Sequence, residues 1–159
     1  MRKIIVTLIL LSVVASAGMF SKGNKNIGVS LGAGSSYGNT YTVAGVNGHY
    51  FIMDDLAIGF GYRGWFGADP TMNELLLDGT YYLPLNQKFR PYLGVFVRQT
   101  FVSGYDDYQS YGGKAGLAIT MSPNSYLGVA YVMEYYSDCQ RAGGDCSNSY
   151  PEVVFGLSF

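Results

Sequence analysis

The chain has 159 residues, only 13% of them charged, with a formal net charge of −1. The absence of a basic stripe argues against nucleic acid as a partner, and the length suits one domain rather than several. Aromatic residues reach 16%, with fifteen Tyr, alongside 22 Gly, a composition expected where much of the outer surface meets something other than water.

Met1, Arg2 and Lys3 open the chain with positive charge, an apolar run extends from Ile4 to Val14, and Ala15-Ser16-Ala17 forms a small-residue cleavage pattern. This is the layout of a secretory signal peptide over residues 1–17. The apolar run is too short for a membrane-spanning helix, which needs roughly 20 residues. No cysteine lies near the cleavage point to carry a lipid. The mature part, residues 18–159, reads as a single domain, and loss of Arg2 and Lys3 takes the formal charge from −1 to about −3.

Beyond residue 18 the recurring pattern is alternation with period two, the mark of strands with two different faces. Near Asn26 to Ser35, Ile27, Val29, Leu31 and Ala33 oppose Asn26, Gly28, Ser30 and Gly32. Near Tyr41 to Ile52, Ala44, Val46, Tyr50 and Ile52 oppose Val43, Gly45, Asn47 and His49. From Leu56 to Phe66, a greasy set of Leu56, Ile58, Phe60, Tyr62 and Phe66 opposes Ala57, Gly59, Gly61, Arg63 and Trp65. Near Asn73 to Leu83, Leu75, Leu77, Tyr81 and Leu83 oppose Glu74, Asp78, Thr80 and Tyr82.

The second half repeats the theme. Near Phe89 to Val102, Leu93, Val95, Val97 and Phe101 oppose Arg90, Gly94, Arg98 and Thr100. A sixth strand sets Ala115, Leu117, Ile119 and Met121 against Lys114, Gly116, Ala118 and Thr120. A seventh sets Leu127, Val129, Tyr131, Met133 and Tyr135 against Gly128, Ala130, Glu134 and Tyr136. The last sets Val153, Phe155, Leu157 and Phe159 against Glu152, Gly156 and Ser158. Three connections read as tight turns, Met53 to Asp55, Leu85 to Lys88 and Ser122 to Ser125. The others, Ser36 to Thr40, Gly67 to Met72, Ser103 to Gln109 and Asp138 to Ser149, are more polar and generally longer. Short turns at one end and longer loops at the other are the asymmetry of a membrane barrel.

The apolar faces carry more bulk than the inside of eight strands can hold, whereas the small and polar faces suit it. Leu77, Val95 and Phe155 are therefore expected outside, covered by lipid, since water would drive such a belt to aggregate. Lipid in turn requires every backbone group to be paired, so the sheet must close. The expected fold is all-β, an eight-stranded antiparallel up-and-down transmembrane β-barrel. Aromatic girdles are expected at both interfaces: Tyr50, Tyr81, Phe89, Tyr92, Tyr126 and Phe159 near the turns, and Tyr41, Phe66, Phe101, Tyr111 and Tyr135 near the loops.

The segments "GHYFIMDDLAIGFGY", "YYLPLNQKFRPYLGVF" and the terminal "FGLSF" resemble small bacterial outer-membrane β-barrel proteins of the OmpA/OmpX-like class, along the whole mature part. The resemblance implies a monomer in the cell outer membrane with both termini periplasmic, surrounded by outer-membrane lipid and lipopolysaccharide. It also implies that Phe155, Leu157 and Phe159 form the C-terminal signal read by the barrel-assembly machinery, with periplasmic chaperones acting during biogenesis. No segment corresponding to the further domain of the full OmpA form is read here, so peptidoglycan binding is not carried over.

Six inward charges, Arg63, Asp78, Arg98, Lys114, Glu134 and Glu152, fall at similar heights above the turns. They are expected to share one level and close the lumen as an ion-paired plug, with Glu74 above them and Arg90 near the bottom. Cys139 and Cys146, in a polar segment of an exported chain, most simply form one local disulfide; a metal pair would need more ligands than the neighbourhood offers. His49 is the only histidine, and without a Ser partner it reads as a hydrogen-bonding lumen residue rather than the base of a lipid A-modifying enzyme. No catalytic, cofactor or metal set is assigned. The expected role is structural or surface-interacting, the loop tip Tyr105 to Tyr108 being one candidate contact. The alternatives are a narrow porin-like path for small or apolar solutes, as in OmpW-like barrels, and at fold level a soluble lipocalin-like carrier.

Overall fold

The structure, a computed structural model, describes residues 18–139 and 146–159; the segment read as a signal peptide, residues 1–17, lies outside the described residues. Eight strands follow in order: β1 Lys25–Ser36, β2 Asn39–Met53, β3 Leu56–Phe66, β4 Met72–Tyr82, β5 Phe89–Val102, β6 Tyr108–Ser122, β7 Ser125–Tyr136 and β8 Ser147–Ser158. Each pairs antiparallel with the next, and β8 pairs with β1 to close the barrel. The closing ladder joins residues 26–32 of β1 to residues 152–158 of β8, removing the free sheet edges that hydrocarbon does not tolerate.

The period-two pattern of the sequence is the pattern of the barrel wall. Burial alternates residue by residue along β4, β7 and β8. Leu77, Val95 and Phe155 are 57%, 69% and 43% exposed on the outside, where the alternation places them. A fold that turns such residues outward along every strand presents a continuous apolar exterior suited to lipid.

The two ends differ less than the sequence suggests. The connection expected to run from Ser36 to Thr40 is only Tyr37-Gly38, both left-handed, at φ 51° and 73°. Two consecutive left-handed residues are what the tightest hairpin turn requires, and Gly38 takes the second without steric penalty. At the other end, the β4–β5 connection occupies residues 83–88, longer than the four residues with turn chemistry. β6 begins at Tyr108, well before Lys114; Gly112 and Gly113 blur its alternation, but the backbone stays paired to β5 and β7 across them.

The interior departs from a lumen of small and charged groups. Tyr41, Tyr92 and Tyr126, expected in the interfacial girdles, are buried inside the barrel, together with Phe51, Trp65, Tyr82, Phe96, Tyr108 and Tyr150. Their parity placed them inward, and for three of them the room comes from glycine on the neighbouring strand. Tyr92 lies opposite Gly116, Phe96 opposite Gly112 and Tyr126 opposite Gly156. A Cβ on Gly116 would come 2.6 Å from the Tyr92 ring, and one on Gly112 2.7 Å from the Phe96 ring. Tyr92, Phe96 and Tyr126 thus fill the space that their partner glycines leave empty.

Candidate functional site in the barrel lumen

Inward side chains stack in tiers along the lumen. At the turn end lies an aromatic layer of Phe51, Tyr82, Tyr92 and Tyr126. Into it projects Phe20, from the segment preceding β1. Its ring centroid is 4.6 Å from that of Tyr82 and 5.7 Å from that of Tyr126, and it meets Phe51 edge-on at 5.9 Å. The guanidinium of Arg90 lies 4.7 Å over the same ring and is ion-paired to Asp55, so Arg90 sits low, as its position in β5 predicts. Backbone hydrogen bonds pin the segment: Asp55 N–H donates to Phe20 O at 2.7 Å and Gly23 N–H to Phe51 O at 2.8 Å.

Above this layer stands a first charged cluster. Asp78 Oδ2 accepts from Lys114 Nζ at 2.9 Å and from Thr80 Oγ1 at 2.9 Å, and faces His49 Nε2 at 3.2 Å. A second cluster is centred on Arg98. Its Nη1 donates to Glu134 Oε2 at 2.7 Å and to Tyr150 Oη at 3.0 Å, and its Nε faces Glu74 Oε2 at 3.3 Å. Arg63 pairs with Glu152 and also donates to Tyr150 Oη, at 3.3 Å. Ser110 Oγ donates to Glu134. Phe96, Leu76, Val132 and Tyr150 form the apolar packing of this region, with the Arg98 guanidinium 4.7 Å from the Phe96 ring. At the loop end Tyr41, Val43, Trp65, Met72, Val102, Tyr108 and Tyr136 pack together.

The six charges singled out from the sequence all point inward, but not onto one level. Asp78 and Lys114 form the lower cluster with His49; Arg63, Arg98, Glu134 and Glu152 belong to the upper one. Glu74, expected above the charges, is a member of the upper cluster. It lies four residues from Asp78 on β4, about 13 Å along a strand, which is why the two carboxylates serve different cations. Sequence reasoning missed Tyr150, whose hydroxyl joins the two arginines, and Phe20, which precedes the first strand. An inward tyrosine two residues before Glu152 was the available signal for the former. Ion pairs in so enclosed a space are held by mutual satisfaction, because removing one partner leaves a buried charge uncompensated.

The remaining marked residues lie away from this stack. Cys139 and Cys146 form a disulfide with Cα atoms 4.5 Å apart; residues 140–145 between them lie outside the described residues. In the tip read as a contact site, Tyr105 is exposed and its ring lies 5.2 Å from that of Tyr37. Asp107 accepts from Val102 N–H at 3.1 Å, and Tyr108 is buried in the upper aromatic cluster. Phe155, Leu157 and Phe159 face outward on and just beyond β8, with Phe159 at the turn end, its backbone bonded to Lys25.

No protein-family model matches the chain, and neither does any curated protein. Solved structures do. The N-terminal β-barrel domain of OprF from Pseudomonas aeruginosa is 14% identical with a TM-score of 0.70, covering 87% of this chain and 98% of that one. Neisserial surface protein A is 15% identical with a TM-score of 0.62, covering 85% and 94%. The outer membrane protein OprG from Pseudomonas aeruginosa is 14% identical with a TM-score of 0.50, covering 89% and 98%. At these identities the likeness is one of fold: the chain has the closed eight-stranded architecture of bacterial outer-membrane β-barrels.

Proposed function

We propose that this chain is an integral, monomeric outer-membrane protein whose lumen is closed by its own side chains, acting as a structural or surface-interacting element rather than as an open pore or an enzyme. The observation that carries this reading is the stack of buried inward side chains among the described residues, from the Phe20 layer through the two ion-paired clusters to the Tyr41–Trp65 layer. With the short turns periplasmic, Phe155, Leu157 and Phe159 present an outward aromatic edge at the periplasmic end for the assembly machinery and its chaperones. The opposite rim, with Tyr37, Tyr105 and the Cys139–Cys146 disulfide, faces lipopolysaccharide and the exterior. The one histidine is engaged with Asp78 inside the wall, which favours a packing role for it over catalysis.

Planar-bilayer recording tests the closed lumen. Wild-type protein is expected to insert without a steady conductance above the bare-bilayer baseline. A reproducible unitary conductance in the wild type would contradict the closed reading and favour a narrow solute path.

A further inference from the structure

On the lipid-facing side of β1 to β5 the wall is indented by a trough of about 830 Å³. Its floor is Gly48 and Gly79, and Phe60, Leu77 and Val95 rise around it. The register makes it continuous: Gly48 lies between Ile27 and Phe60, and Gly79 between Ile58 and Val95, so the hollow crosses the strands obliquely.

These two glycines differ from the inward ones. A Cβ on Gly79 would meet nothing within 4 Å, and one on Gly48 only the Asn26 carbonyl oxygen at 4.0 Å. Neither has positive φ. The barrel's own packing therefore does not demand glycine at either position, and any larger apolar residue would fill the trough. What the missing side chains create is room for a group from outside.

The trough ends at Lys25, which lines it at the turn end beside Phe159. Lys25 is exposed, and none of the ion pairs among the described residues uses it. We propose that the trough binds one anionic phospholipid of the turn-side leaflet, an acyl chain lying over Gly48 and Gly79 and the phosphate meeting Lys25 Nζ. A flexible chain fits a shallow apolar channel, and a basic side chain at the headgroup level attracts anionic lipid. A second copy of the barrel is the less favourable occupant, because a two-fold contact on this face would bring the Lys25-bearing patch against itself.

The assignment rests on the membrane-embedded reading, and the experiment separates the two. Wild type, Lys25→Ala and the double variant Gly48→Leu/Gly79→Leu are folded into vesicles of equal parts phosphatidylglycerol and phosphatidylcholine, extracted in mild detergent and weighed by native mass spectrometry. Wild type is expected to retain one phosphatidylglycerol in preference to phosphatidylcholine. Lys25→Ala is expected to reduce that preference about fivefold, and the double variant to fold but lose retained lipid of both kinds. Equal retention of the two lipids by the wild type, unchanged retention in the double variant, or a bound mass equal to a second chain would each overturn the site while leaving the barrel in the membrane. A wild type that does not enter the vesicles would overturn both.

Discussion

Replacing Arg98 with Ala is expected to lower the barrel's unfolding free energy by about 3–5 kcal/mol and to convert a closed lumen into a conducting one. Arg98 is buried, with Glu134, Glu74 and Tyr150 around its guanidinium. Truncation leaves two carboxylates that the remaining arginine cannot serve, because Arg63 is already committed to Glu152. Water must then enter to solvate them, and the vacated volume gives it a place to stand. The check is denaturant unfolding in vesicles combined with bilayer recording. Replacing Arg98, Glu74 and Glu134 together by apolar residues of similar volume should recover most of the lost stability and leave the lumen closed, since a buried ion cluster and a well-packed apolar one are close in free energy. An Arg98→Ala barrel as stable and as silent as the wild type would show that this cluster does not hold the lumen shut.

Phe20→Ala is expected to act locally. Truncating a buried Phe costs about 3–5 kcal/mol where the surroundings cannot collapse, and Phe20 is 4% exposed among four aromatic side chains and Arg90. The strand ladder, however, starts at Lys25, so the segment before it can release while the barrel persists. Amide exchange should therefore rise roughly a hundredfold at Gly23 and Asp55, two of the donors that tie this segment to the wall. The global unfolding midpoint should shift less than in Arg98→Ala. Unchanged exchange at those two amides, with the whole loss appearing in the global transition, would mean that the segment is an integral part of the barrel rather than a cork seated in it.

What could be read in advance follows from the physics of a two-faced strand. Parity assigns every wall residue to one side, so the outward Leu77, Val95 and Phe155 and the inward Arg98 and Glu134 were legible from alternation. Parity does not say which inward groups meet across the barrel. That depends on shear and tilt, which bring Glu74 of β4 to Arg98 of β5 and leave Asp78 to Lys114 of β6. Nor does it say that an inward Tyr is a packing residue rather than an interfacial one. The signal lay in the register, where Tyr92, Phe96 and Tyr126 each face a glycine on the next strand, and register was not available from the alternation alone. Phe20 was hidden for a different reason: it lies outside any repeating pattern, just after the small-residue run Ala15-Ser16-Ala17, and its burial arises from the fold as a whole.

The inverted arrangement of the wall is open to one direct measurement. Single cysteines placed in turn from Leu93 to Arg98, labelled with a nitroxide in lipid vesicles, report collision with oxygen dissolved in the hydrocarbon. Accessibility should alternate, high at Leu93, Val95 and Val97 and low at Gly94, Phe96 and Arg98. A flat profile, or maxima at Gly94, Phe96 and Arg98, would contradict it.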